Sequence, residues 1–357
     1  MALMRLPFVR ATPLQQDLHG VKTVKTIKPN FEVLDSVDKL CATWLGHAGF
    51  LVQLPAEPNH RPIRIVFDPI FSDRAYPSAW VGPRRRLPPP CKITDLPAVD
   101  FVAVSHNHYD HCDLDALKAL WKKSPGIEFL VPLGVKATLE SVGIPPAQVH
   151  ALDWWDNLSF PPSGGRKCNY SFTCTPAQHN SGRGVLDQNW TLWCSWVVQQ
   201  IPEDGEPAAS VYFAGDTGYQ TAVGPCPAFK EIGTKLGPFD LAMVPIWSGA
   251  SLTVLGKMGY RLADDTHLAT LHATPEDAVR LAADVRARHT LAMHFATFAG
   301  SDDEALEPVV RLAQAQPNGV ADWRNEGGFG AIDVGECVAI DVGRAEEVAA
   351  EKGEEAA

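Results

Sequence analysis

The apolar positions fall mostly into short runs rather than long helical periods. Cys41-Ala-Thr-Trp-Leu45 and Phe50-Leu-Val-Gln-Leu54 read as two short strands, with Gly46-His47-Ala48-Gly49 as the tight turn between them. Arg64-Ile-Val-Phe67 reads as a third strand, ending at Asp68-Pro69. Asp100-Phe-Val-Ala-Val-Ser105 is an apolar, β-rich segment that predicts a buried strand. After it, Leu114, Leu117, Leu120 and Trp121 recur at helical spacing, with Asp113 placed to cap the helix. Residues 129–131 and 149–152 predict further strands, and 135–142 a helix between them. In the second half, Phe172–Thr175, Ser210–Ala214 and Thr290–Met293 read as strands. Thr274–Arg286 reads as a helix: Thr274 caps it, Pro275 holds its first position, and acids fill its first turn. Strand and helix alternate, which favours an α/β layered fold over an all-β one.

A chain of 357 residues, 45% apolar and 20% charged, can bury a large core. Residues 1–40 show little periodicity and read as an N-terminal arm; 41–342 read as the folded domain, and the acidic end, 343–357, as a disordered tail. The net charge of -11 argues against nucleic acid as a partner and gives no pull toward anionic lipid. Arg84-Arg85-Arg86, in a Pro-rich loop between Pro77 and Pro90, is the candidate basic patch. Eight scattered cysteines, none with CxxC spacing, read as reduced intracellular thiols, and Cys112 is the one near the candidate chemistry. No run of 18 apolar residues is present, and Met1–Arg10 lacks a secretory apolar region. The expected location is intracellular and cytoplasmic, with mitochondrial targeting and peripheral membrane contact as the alternatives.

The chemistry concentrates in His106-Asn107-His108-Tyr109-Asp110-His111. Imidazole and carboxylate are the N and O ligands that Zn²⁺ accepts, at about 2.0–2.2 Å. The run lies between a strand end and a helix start, where an irregular loop can turn several side chains into one cleft. His179, Asp216 in Gly215-Asp-Thr-Gly218, and His294 each follow a predicted strand. Singly they say little; together they suggest strand ends converging on one edge of a sheet. His106, His108 and His179 could hold one ion, Asp110, His111 and His294 a second, and Asp216 could bridge the two. Seven protein ligands leave room for a shared water, and a pair of ions with a bridging hydroxide is suited to hydrolysis. Two Zn²⁺ are the expected cofactors, with iron or manganese as alternatives; an oxidative role would need iron.

The pattern resembles the metallo-β-lactamase fold superfamily, and most closely the N-acylphosphatidylethanolamine-hydrolysing phospholipase D family. The residues that carry the resemblance include Thr43-Trp-Leu-Gly-His-Ala48, Asp68-Pro-Ile-Phe-Ser72, Ser105–His111, Leu152-Asp-Trp-Trp155, Gln178-His179, Leu192-Trp-Cys-Ser-Trp196, Phe213–Tyr219 and His294-Phe-Ala-Thr-Phe298. They span roughly residues 40–310 in order. The resemblance implies an αββα four-layer sandwich with a dinuclear zinc site. It places His272 and Asp110 at the chemistry, and Tyr109 and His272 against substrate. The implied reaction is phosphodiester hydrolysis releasing an N-acylethanolamine. The stretch from Trp247 to Leu271 is longer than the family's, and a longer lip there would favour a small molecule over a membrane lipid. Opening of a lactam, lactone or amide is therefore the alternative reaction. A non-enzymatic binding role would require missing ligands, and all seven are present. The implied partners are a small-molecule or N-acyl phospholipid substrate and, as an open alternative, a second copy of the chain.

Overall fold

The computed structural model describes residues 8–10, 23–78, 80–203, 205–247, 260–262 and 268–342. Most of the lip anticipated between 247 and 271, and the acidic tail, lie outside the described residues. In chain order the first half contains β1 (Phe8–Arg10), β2 (Leu40–Gly46), β3 (Gly49–Gln53), β4 (Arg64–Phe67), β5 (Phe101–Ala103), α1 (Leu114–Lys123), β6 (Glu128–Pro132), α2 (Lys136–Glu140) and β7 (Val149–Leu152). The second half contains β8 (Asn157–Phe160), β9 (Cys168–Thr175), β10 (Ser195–Pro202), β11 (Ala209–Phe213), β12 (Gln220–Thr221), β13 (Gly224–Pro225) and α3 (Pro227–Lys235). It continues with β14 (Phe239–Pro245), β15 (Tyr260–Leu262), α4 (Pro275–Asp284), β16 (Ala287–Met293), α5 (Asp302–Gln314), β17 (Gly328–Gly330) and β18 (Cys337–Ile340).

Two seven-stranded sheets carry the fold, ordered β18-β2-β3-β4-β5-β6-β7 and β17-β16-β14-β11-β10-β9-β8. Both faces of the first sheet are covered, so β2 is buried along its whole length. Its alternating side chains feed two cores. Leu40, Ala42 and Trp44 enter the core between the sheets, where the Phe67 and Phe213 rings stack at 4.8 Å across the two layers. Cys41 and Leu45 enter an outer core beneath α1, with Leu117 and Leu120. Asp113 caps α1 as its sequence position predicts, accepting the N–H groups of Asp115 and Ala116. In the second sheet, α4 packs on β14 and β16. That helix stops at Asp284, two residues short of the predicted end, because Arg286 takes a left-handed φ of 62° and turns the chain into β16. Residues 23–39 run along the domain. Ile27 donates to the Val334 carbonyl, and Gln53 donates to the carbonyl of buried Leu34. β1 pairs with β15.

The strand directions position the site. β2 and β4 both run antiparallel to β3, and β5 is parallel to β4. In the other sheet β9 and β11 both run antiparallel to β10, and β14 and β16 are parallel to β11. The C-terminal ends of β2, β4, β5, β9, β11, β14 and β16 therefore open onto one edge. The sheets are tied together there: Trp196 Nε1 donates to the Val104 carbonyl, and the His294 N–H donates to the His47 carbonyl.

Candidate metal centre

The seven candidate ligands meet at this edge. His106 and His108 face each other, with Nε2 of His106 2.8 Å from Nδ1 of His108, and Nε2 of His179 lies 3.3 Å from the same atom. Asp216 Oδ1 is 3.0 Å from His294 Nε2, and its Oδ2 is 3.2 Å from His111 Nε2 and 3.6 Å from His179 Nε2. Asp216 therefore stands between the two triplets anticipated from the sequence. Asp110 Oδ2 lies 3.7 Å from His111 Nε2 and 3.8 Å from His294 Nε2.

The local chain explains why these side chains can converge. Gly215 adopts a left-handed φ of 59°, and a Cβ there would sit 2.6 Å from Ser105 Cβ; at Gly218 it would sit 2.3 Å from the Thr270 backbone. The Gly-Asp-Thr-Gly turn is thus wedged between the loop that carries His106 and the loop that carries His272. Thr217 stitches it in place, with Oγ1 accepting the Gln178 N–H and its carbonyl accepting the Ala273 N–H. His179 Nδ1 lies 2.9 Å from the Leu271 carbonyl, which turns Nε2 toward the cluster.

Two site residues escaped the sequence reading. His47, read as part of a tight turn, points Nε2 at Asp110 Oδ2, 2.9 Å away, and its ring lies 4.1 Å from that of His294. Asp68, read as a strand end, accepts the N–H and hydroxyl of Ser105 and lies 2.7 Å from His111 Nδ1. The available signal was positional: both residues follow a strand, as the identified ligands do. His47, Asp68 and His294 all have left-handed backbone, with φ of 53°, 37° and 60°, and strained conformations of this kind cluster at functional sites.

Burial pushes His106 and His179 well below the ordinary imidazole range, His47 down to about 3 and His272 down to about 4. Neutral imidazole is the form that ligates metals. Burial pushes the Asp110 and Asp216 carboxyls up, but the neighbouring histidines outweigh it and hold both well below the ordinary value. Burial likewise opposes charge on His111, yet Asp216 and Asp110 pull it well above its usual range. The carboxylates create a demand for positive charge that protons or divalent cations can meet. His272 Nδ1 is buried without a hydrogen-bond partner, and the close pairs His294 Nε2–Asp216 Oδ1 and His111 Nε2–Asp216 Oδ2 are not aligned as hydrogen bonds. Ligand atoms of Asp110, His111 and His294 all lie within 4.8 Å of one another, with His47 Nε2 beside them, as do those of His106, His108 and His179. This donor set fits two divalent cations.

His272 is 21% exposed at the side chain, with Nδ1 3.7 Å from Asp216 Oδ2. Tyr109 lies beside Tyr76 and beneath the Arg183 guanidinium, which sits 4.4 Å from its ring centre. Cys112 is buried in the outer core and belongs to no candidate ligand group among the described residues. The expected basic patch is dispersed. Arg84 pairs with Asp73 and Arg86 with Asp302, while Arg85 is buried against the Ile70 and Leu87 carbonyls.

A sandwich of two sheets with an edge of this composition defines a metallohydrolase of the metallo-β-lactamase fold. A family profile described as "Beta-lactamase superfamily domain" matches residues 63–295. The N-acyl-phosphatidylethanolamine-hydrolyzing phospholipase D 1 of Caenorhabditis elegans is 37% identical over 301 residues, 83% of this chain and 75% of that one. The chain belongs to this superfamily and, within it, to the N-acylphosphatidylethanolamine-hydrolysing phospholipase D family. The Saccharomyces cerevisiae protein of that name, described as mitochondrial, is 32% identical over 80% of this chain and 52% of its own. Two solved structures share the fold: a metallo hydrolase from Ignicoccus hospitalis (17% identity, TM-score 0.51, 84% of this chain and 98% of that one) and a diiron beta-hydroxylase from Streptomyces venezuelae (18%, 0.53, 85% and 54%). Among the described residues no helix is long and apolar enough to cross a membrane.

Proposed function

We propose that the protein is a dinuclear zinc phosphodiesterase that hydrolyses N-acylated phosphatidylethanolamine and releases the N-acylethanolamine. The observation that carries this reading is the meeting of seven ligand-type side chains from four separate loops at one buried edge. The name of the C. elegans relative supplies the substrate class. His106, His108 and His179 would hold one cation, Asp110, His111 and His294 the other, with Asp216 shared. Such ions, when bound, acidify a water and neutralise charge on a phosphoryl oxygen. His272 stands at the exposed side of the cluster with Nδ1 unpartnered, placed to bind a substrate oxygen or pass a proton to the leaving oxygen. Tyr109, on the ligand loop, would contact substrate.

The test is direct. Zinc-loaded protein is incubated with N-acylated phosphatidylethanolamine in mixed micelles, and separately with a cyclic amide and a lactone. Release of N-acylethanolamine supports the reading. Turnover of the cyclic amide or lactone alone overturns the substrate class and installs the alternative. Metal analysis of the purified protein decides between zinc and iron.

A further inference from the structure

We infer that His47, outside the seven candidate ligands, is a positioning residue: its ring holds Asp110 and its backbone seats His294, so one turn places two ligands of the same cation. The inference rests on the reading that the site binds divalent cations.

Three observations carry it. The contact from Nε2 to Asp110 Oδ2, at 2.9 Å, is shorter than the 3.7 and 3.8 Å that separate this oxygen from His111 and His294. It has hydrogen-bond length where the others do not. Nδ1 of His47 has no partner, and His47 lines a pocket together with Trp247, Phe295 and Phe298. The ring proton therefore belongs on Nε2, where a carboxylate receives it. With Nε2 protonated, the free lone pair is on Nδ1, on the other side of the ring from Asp110, so the ring donates to a ligand and does not serve as one. The ring is also fixed in place, lying 4.1 Å from His294 and edge-on to Phe298 at 5.0 Å.

The turn is built to hold that ring. The His47 N–H donates to Thr297 Oγ1 at 2.7 Å, and its carbonyl accepts from Trp44 Nε1 at 2.8 Å and from the His294 N–H at 3.0 Å. All three of these partners are buried. A shift of the turn would move Asp110 and His294 together. Partners of this kind typically change metal affinity by about 10–100-fold when removed.

The experiment compares His47→Leu, which keeps bulk without a donor, and His47→Gln, which keeps an N–H near the position of Nε2. Zinc affinity is read by competition with a chromophoric chelator, and ligand number from the visible spectrum of the cobalt(II)-substituted protein. The expected result is a loss of about 10–100-fold at one of two sites in His47→Leu, with most of the affinity and the cobalt spectrum retained in His47→Gln. Equal loss in both variants with a cobalt spectrum that has lost a nitrogen ligand overturns the inference and makes His47 a ligand. Unchanged affinity in both overturns it in favour of a purely structural turn. Should His47→Leu fail to fold, His47→Met takes its place as the variant without a donor in the same comparison. Unsubstituted protein that takes up no divalent cation overturns the underlying reading instead.

Discussion

Oδ2 of Asp68 lies 2.7 Å from Nδ1 of His111, both side chains sealed from solvent. The same carboxylate accepts the Ser105 hydroxyl, whose oxygen is 2.8 Å from His106 Nδ1. One buried group thus orients a candidate ligand from each triplet, one directly and one through a hydroxyl. Asp68→Asn keeps the shape and loses the charge. It is expected to weaken zinc binding by about 10–100-fold, read by chelator competition. An unchanged dissociation constant would show that His106 and His111 orient themselves.

Asp68 and Asp216, both sealed from solvent, and the partly exposed Asp110 bring three carboxylates into one site. Removing cations should therefore lower stability as well as activity. A ligand at 100 times its dissociation constant adds about 2.7 kcal/mol to the folded state. Scanning calorimetry with and without chelator should show a lower melting temperature in the stripped protein, restored by zinc. Equal melting temperatures would argue that protons already satisfy the site.

His272→Ala should reduce turnover sharply while two equivalents of zinc remain bound, since all seven ligands are left in place. Turnover equal to that of the unsubstituted enzyme removes His272 from the mechanism.

Asp113 joins the start of α1 to the segment that follows β4. Oδ1 accepts the N–H groups of Asp115 and Ala116, and Oδ2 accepts those of Phe71 and Ser72 at 3.0 and 2.9 Å. Asp113→Ala strands a helix terminus and two loop donors together. The expected cost is about 1–3 kcal/mol, measurable by denaturant unfolding. A loss well under 1 kcal/mol would mean that water replaces the carboxylate.

Glu57 gives a pH signature far from the metals. Burial pushes its carboxyl up, but the Lys167 N–H, the Tyr170 hydroxyl and the Cys168 N–H outweigh this and hold it below its ordinary 4.5. The folded value is the depressed one, so its stabilisation is complete above about pH 4.5 and is lost as pH falls through the folded value. Glu57→Gln should cost about 1–3 kcal/mol at neutral pH, and the gap to the unsubstituted protein should close on acidification. A gap constant from pH 7 to pH 3 would rule the carboxylate out as its source.

How much of this was legible in the chain depended on local density. His106, His108, Asp110 and His111 announce themselves because four ligand types fall within six positions. His179, Asp216 and His294 were legible through a shared context, each just past a strand. His47 was hidden by the glycines around it, which speak for a turn and say nothing of where its ring points. Asp68 precedes a proline and reads as a strand breaker. Its role exists only because β4 and β5 lie side by side in register. Arg84–Arg86 misled for the opposite reason: adjacent in sequence, they project to three different surroundings, one of them the interior.

The common polarity of the strands has a practical consequence. Because β9 delivers His179 from its C-terminal end, the Phe160–Cys168 connection leading into its other end lies at the opposite pole of the molecule. Gly164 and Gly165 hold left-handed φ of 63° and 89° and would be left in place, but the space around Gly164 is open. A fluorophore or surface tether attached there would sit the full length of the sheet from the cations, so the enzyme could be immobilised or labelled at that pole without its chemistry registering the load.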